Sequence, residues 1–91
     1  MYKVVFSSQY KKSLRKISRS GIFPIKEIEK VINLLITGEI LSPRYKDHGL
    51  NGELSGYREC HIKSDLLLIY KIENRELILI LVDIGTHSQL F

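Results

Sequence analysis

The spacing of hydrophobic positions changes three times along the chain. Residues 2–6 alternate loosely and are β-branched or aromatic, which predicts a short strand. From Tyr10 the period lengthens. Tyr10, Leu14 and Ile17 fall at i, i+4 and i+7, one face of a helix, while Lys12, Arg15, Lys16 and Arg19 fall at i, i+3, i+4 and i+7 on another. Ser7 or Ser8 can cap its start by accepting an orphan backbone N–H, and Ser20-Gly21 ends it. Pro24 suits the first position of a second helix and Gly38 the residue just past its end. Between them Ile25, Ile28, Val31, Ile32, Leu35 and Ile36 make a wide apolar face. The short link between the two predicts an antiparallel helical hairpin.

Residues 38–56 follow neither period and contain Pro43, Gly49, Gly52 and Gly56. An irregular stretch of this length in a small domain is more often functional than idle. Strand patterns follow at 57–62, 66–73 and 77–83, with tight links at Lys63-Ser64 and Asn74-Arg75, so an antiparallel meander is expected. The segments 66–72 and 77–82 are nearly apolar on both faces and call for cover on both. The hairpin covers one face. The C-terminal tail or a bound partner is left for the other. The element order is β-α-α-β-β-β, an α+β domain with a helical hairpin packed on a mainly antiparallel four-stranded sheet.

Composition narrows the class. The chain has 91 residues, 44% of them hydrophobic and 26% charged, which fits one globular domain over residues 1–91 and argues against disorder. Its one cysteine, Cys60, permits no intrachain disulfide. The apolar runs Leu66–Tyr70 and Leu77–Val82 fall far short of the ~20 residues that cross a bilayer. The opening segment turns polar at Ser7, too early for a secretion signal. The expected location is the cytoplasm. Net charge is +4, but the first twenty residues hold Lys3, Lys11, Lys12, Arg15, Lys16 and Arg19 and no acid. A basic block of this kind suits a polyanion or an acidic partner, with a merely solvated helix face as the competing reading.

Reactive side chains gather at the ends of the expected elements. His48, beside Lys46 and Asp47, lies in the irregular stretch; Arg58 opens the first meander strand and His61 closes it. Asp65 follows across the turn, and His87 comes just after the last strand. Ends of adjacent strands are neighbours in a meander, so His61, Asp65 and His87 can converge. A satisfied structural histidine is the alternative for His61. Zinc is disfavoured, because no Cys-x-x-Cys or closely spaced histidine pair is present. Cys60 alternates with His61 and points to the opposite face, as a small core residue would. The glycines form no phosphate-binding G-x-x-x-x-G-K pattern.

Three separated blocks carry a further signal. They are Tyr45-Lys46-Asp47-His48-Gly49-Leu50, with Gly52, Gly56 and Tyr57-Arg58-Glu59-Cys60-His61-Ile62; Asp65-Leu66-Leu67-Leu68-Ile69-Tyr70; and Gly85-Thr86-His87-Ser88-Gln89-Leu90-Phe91. In this order and spacing the chain resembles the YafQ-type toxins of the RelE/ParE superfamily, from bacterial toxin–antitoxin modules. The resemblance spans the whole chain and implies a RelE-like fold. It implies an endoribonuclease that cuts messenger RNA in the ribosomal A site, stops translation and needs no metal or cofactor. It also implies a cognate antitoxin, ribosomal RNA and messenger RNA as partners, operator DNA only through the antitoxin complex, and no membrane. By the same resemblance His48, His61, Asp65, His87 and Phe91 form the catalytic set.

The chain departs from that pattern at Asp83, where relatives often have arginine, and at Ser64, where they often have proline. An arginine at 83 would help hold the scissile phosphate, so contact with phosphate and RNA falls to Lys46, Arg58, Arg44 or Lys63, with Tyr57 or Phe91 stacking on a base. The basic face of Lys12, Arg15, Lys16 and Arg19 is assigned to the ribosome. The chemistry expected is attack by the RNA 2′-hydroxyl, with His87 as general acid and Asp65 or His61 as general base. Two other functions remain open from the sequence. A ParE-like inhibitor of DNA gyrase would not need the histidines, and a degraded toxin acting with its antitoxin as a repressor component would explain Asp83.

Overall fold

One serine joins the first strand to the first helix. In the computed structural model, which describes residues 1–91, β1 spans Lys3–Phe6 and α1 spans Ser8–Ser20. Between them Ser7 Oγ accepts from the backbone N–H of Tyr10 at 2.9 Å and donates to the Val82 carbonyl at 2.5 Å. The cap therefore also pins the helix start to the sheet. Gly21, at φ +67°, ends α1 in the left-handed conformation that suits a residue without a Cβ. Helix α2 runs Ile25–Ile36. Pro24 stands one place outside it as the N-cap rather than at its first position.

The sheet has five strands in the order β1-β5-β4-β3-β2. Strand β2 is His48–Gly49, β3 Arg58–Lys63, β4 Leu66–Glu73 and β5 Ile78–Thr86, followed by a short helix α3 at His87–Leu90. The meander β3-β4-β5 is antiparallel, and β1 joins its β5 edge in parallel. The fifth strand, absent from the four-stranded expectation, comes from the irregular stretch: His48 pairs with Glu59 and Gly49 with Arg58. Two residues are too few to show an alternating pattern. Strand β5 also runs three residues past the expected end. Pairing continues through Gly85 and Thr86 after a register shift opposite Ile69 and Tyr70, where polar Asp83 breaks the apolar run. The first hairpin turns at Ser64 and Asp65, one residue later than expected, with Ser64 at φ +51°.

Both long helices pack on one face of the sheet. Tyr10 and Ile17 of α1 and Ile28, Val31 and Leu35 of α2 form one buried cluster with Cys60, Ile62, Leu66, Leu68, Tyr70, Leu79, Leu81 and Ile84. The alternate residues Leu67 and Ile69 are buried too, outside that cluster, whereas Ile78, Ile80 and Val82 are half-buried. The second face of β4 and β5 is thus closed only in part.

Burial holds Cys60 and Tyr10 of the core in their neutral form. It pushes the Cys60 thiol up from 9.0 to about 12, assisted by Asp47 and Glu59, and the Tyr10 phenol up from 10.0 to about 12. The unfolded chain loses these protons at the ordinary values. Above pH 9 the folded state therefore binds more protons than the unfolded state, and stability falls as pH rises. The urea midpoint is expected to drop from pH 9 to about 12, with the onset moved toward pH 10 in Cys60→Ala. A midpoint constant over that range would contradict this account.

Candidate active site

Strand alternation divides the polar residues of β3 between two faces. Cys60 and Ile62 enter the helix-side core, so Arg58 lies on that side and Glu59 and His61 on the other. On the helix side Arg58 Nη2 donates to Asp47 Oδ2 at 3.0 Å, and the Tyr70 hydroxyl donates to the other carboxylate oxygen. The Asp47 bond comes first among the influences that raise the Arg58 pKa above its ordinary value. The Tyr70 phenol is also raised, chiefly by burial and then by the same carboxylate. Arg58 borders a cleft with Tyr2, Leu35 and Ile40. The structure thus separates Arg58 from the histidines with which the sequence grouped it.

The opposite face carries a histidine pair. A turn of 3-10 helix at Pro43–Tyr45, closed by Lys46 at φ +50°, brings the chain back onto β3. The register sets His48 against Glu59. His48 Nδ1 donates to the Lys46 carbonyl at 2.7 Å, which leaves Nε2 3.7 Å from Glu59 Oε1. His61 Nε2 lies 3.6 Å from the same oxygen. These are ion-pair distances for a protonated imidazole rather than close hydrogen bonds. Glu59 was not among the residues singled out from the sequence. Its signal was there: it stands two positions before His61 on a strand and so shares its face.

His87, Asp65 and Phe91 meet at the adjoining end of the sheet. Thr86 caps α3, and its backbone N–H donates to Gln89 Oε1 at 2.8 Å in a capping box. The His87 backbone N–H reaches Asp65 Oδ1 at 3.5 Å. Asp65 therefore contacts the backbone of His87, and no ion pair joins it to an imidazole. The Phe91 ring sits 5.2 Å from that of His87. In the sheet His61 pairs with Leu67 and Leu67 with Gly85. Two strand spacings, about 10 Å, thus separate the backbone of His61 from the strand that leads into His87.

Several cations are free. Lys46 and Lys63 are exposed, as are Lys12, Arg15, Lys16 and Arg19 along α1, and none of them enters an ion pair. Arg44 lies over the Tyr45 ring at 4.7 Å and donates to its hydroxyl. Tyr57 has Lys71 Nζ 5.4 Å from its ring centre, and Lys71 pairs with Glu73 at 3.2 Å. Asp83 turns to α1: Ser13 Oγ donates to it at 2.6 Å and the Ile84 backbone N–H at 2.8 Å.

A helical hairpin on one face of a mainly antiparallel sheet, with histidines gathered at one end, defines a RelE-like toxin domain. The chain belongs to the YafQ family: a family model described as "Bacterial toxin of type II toxin-antitoxin system, YafQ" matches residues 2–91. It is 34% identical over 89 residues to the mRNA interferase toxin YafQ of Escherichia coli strain K12, covering 97% of this chain and 94% of that protein. A metal-bound toxin from Helicobacter pylori shares the fold at TM-score 0.92 and 44% identity, with both chains covered in full. The toxin in the E. coli DinJ-YafQ complex does so at TM-score 0.87 and 30% identity, over 100% of this chain and 99% of that one.

Gly85 tests how α3 is held. A Cβ there would lie 2.9 Å from Gln89 Oε1. Gly85→Ala is expected to push the Gln89 amide away, release the Thr86 N–H and cost about 1 kcal/mol, as a lost helix cap does. Faster hydrogen exchange at the Thr86 amide, with core amides unchanged, is the readout. Unaltered exchange at Thr86 would show that the cap does not depend on this close approach.

Proposed function

We propose that this chain, acting as one domain over residues 1–91, is an mRNA interferase that cuts messenger RNA in the ribosomal A site and so arrests translation. The observation that carries the proposal is the placing of the histidines. His48 and His61 stand on one side of the open end of the sheet and His87 stands beyond Gly85 on the other. That spacing suits a phosphodiester held between a base and an acid.

RNA supplies its own nucleophile. His61, with His48 beside it, takes the proton of the 2′-hydroxyl, and the 2′-oxygen attacks the neighbouring phosphorus. The bond to the 5′-oxygen breaks, and His87 protonates that oxygen as it leaves. The products are a 2′,3′-cyclic phosphate and a 5′-hydroxyl end. Asp65, the other candidate for the base, instead holds the backbone from which His87 projects. Phe91 backs the His87 ring. The free Lys46 and Lys63, with Arg44, face the charge that builds on phosphate, and Tyr57 offers a stacking surface for a base. Arg58 acts on structure through Asp47.

The partners follow from the same reading. The unpaired stripe Lys12, Arg15, Lys16 and Arg19 binds ribosomal RNA. An antitoxin silences the chain as DinJ accompanies YafQ in E. coli, and operator DNA is met only through that complex. No helix is long and apolar enough to cross a membrane. The cytoplasm, where the ribosomes are, is the place of action. Asp83 commits its carboxylate to Ser13 and to the Ile84 amide, which weakens the case for a degraded toxin.

Primer extension on a messenger RNA, with and without ribosomes, tests the activity. Cuts are expected only with ribosomes, and His87→Ala is expected to slow them by about 10²–10⁴-fold, as loss of one acid–base group does. Undiminished cleavage by that variant would remove His87 from its role, and a wild-type protein that never cuts would leave gyrase as the target to assay. Replacing Lys12, Arg15, Lys16 and Arg19 by Gln is expected to weaken ribosome binding and flatten its salt dependence, with the fold intact. Binding and salt slope equal to wild type would reassign that face.

A further inference from the structure

We propose that Asp83 is a positioning residue for His87, acting by latching the end of β5 to α1. What His87 then does rests on the nuclease reading, whereas the latch itself stands on geometry. Strand β1 ends at Phe6, paired with Leu81, so no strand borders β5 on that side from Val82 to Thr86. Helix α1 lies against this stretch instead, with Ile17 in the same core cluster as Ile84. Beyond the Ser7 cap, the one hydrogen bond from an α1 side chain to β5 runs from Ser13 Oγ to Asp83 Oδ1. At 2.6 Å it has the short length of a hydroxyl donating to a carboxylate. Gln9 Nε2 donates to the same hydroxyl oxygen at 3.2 Å, and the single hydroxyl proton goes to Asp83. Asp83 Oδ1 also accepts from the Ile84 backbone N–H at 2.8 Å. One oxygen thus joins α1 to the strand backbone just ahead of His87.

The space behind α3 gives this bond its weight. Helices α1 and α3 do not meet in a close-packed seam. A cavity of about 230 Å³ lies between them, lined by Ser13, Lys16, Asp83, Gln89 and Leu90 among others. A second, of about 200 Å³, shares Lys16 and Gln89 with it and reaches Ser20 and Thr86. Atoms that face a void have no contacts to hold them on that side. Helix α3 is four residues long and takes its seat from the strand end that feeds it. With the Ser13–Asp83 bond in place, that strand end sits at a fixed distance from α1. Without it, the strand end and α3 have room to move, and His87 moves with them. Both bonds use Oδ1 as acceptor, so the oxygen rather than the negative charge does the holding.

Four variants separate the latch from its alternatives. Asp83→Asn keeps an acceptor oxygen and removes the charge. Asp83→Ala and Ser13→Ala each remove the bond. Asp83→Arg removes the acceptor and brings a cation. On ribosomes, single-turnover cleavage by Asp83→Asn is expected to stay close to wild type. The Ala and Arg variants are expected to be slower by about ten- to a hundredfold, the cost of slightly misplacing a reacting group, with ribosome affinity unchanged in the Ala variants. A carboxylate facing the scissile phosphate predicts the opposite order, because losing its charge, or reversing it, would speed the reaction. Nitrogen-15 spectra of the imidazoles in the isolated, full-length protein add a readout with no substrate present. In Asp83→Ala and Ser13→Ala the His87 ring signals are expected to move while those of His48 and His61 stay, and Asp83→Asn is expected to match wild type.

Unmoved His87 signals in folded Asp83→Ala overturn the proposal, and so do shifts shared equally by all three histidines, which mark a general loosening. An Ala or Arg variant that cuts at the wild-type rate or faster overturns it as well. If Asp83→Ala does not fold, Ser13→Ala decides on the same terms. His87 signals that respond in a chain whose wild type cuts no RNA leave the latch standing and overturn the nuclease reading alone.

Discussion

The carboxylate of Asp47 holds the irregular part of the chain onto the sheet. It receives the Arg58 guanidinium at 3.0 Å and the Tyr70 hydroxyl, one from β3 and one from β4. Strand β2 is two residues long, and a pair that short has too few ladder bonds to stay in place alone. Bonds in which one partner is charged are stronger than ordinary amide bonds, and the Asp47 carboxylate makes one to each of the two strands behind β2. His48 follows Asp47 directly, so the clamp on one face fixes the ring presented on the other. The arginine that looks like a phosphate ligand in the sequence is the anchor of that clamp.

The same strand carries opposite electrostatic arrangements on its two sides. Toward the helices, Arg58 and Asp47 satisfy each other next to a buried, neutral Cys60. Toward solvent, Glu59 has only imidazoles for partners, and the nearby lysines at 46 and 63 are unpaired. The face left with free positive charge is the one with the histidines. Unneutralised positive charge is therefore concentrated on that face and along α1, and the paired charges between β3 and α2 add little to it.

The helices and the meander were legible because each holds its period for at least six residues. Tyr10, Leu14 and Ile17 mark α1, and the apolar runs of β4 and β5 mark the middle of the sheet. What escaped was short or interrupted. Strand β2 spans two residues and α3 four, neither long enough to display a period. Asp83 and Gly85 look like a strand end, yet pairing across a bulge carries β5 to Thr86. Among the site residues, the histidines were found through the resemblance and their places at element ends. Glu59 was not, because a carboxylate on a strand reads as solvent-facing until the partner strand is known. Arg58 was misplaced for the complementary reason: nearness in sequence to His61 hid the alternation that sets them on opposite faces.

The two halves of the site differ in how firmly they are held. His48 and His61 rise from paired strands backed by the Asp47 cluster and a buried carboxylate, so their geometry is set by the sheet itself. His87 rises from a four-residue helix that could not persist alone in water. Its supports are local: the Thr86–Gln89 cap, the space left by Gly85, the Phe91 ring and one long contact to Asp65 at 3.5 Å. None of these reaches into the core. The side that carries His48 and His61 is therefore preorganised by the sheet, while the side that carries His87 can shift with little cost to the fold. Changes in α3 therefore bear on the placing of His87, whereas changes in β3 bear on both the fold and the placing of His48 and His61.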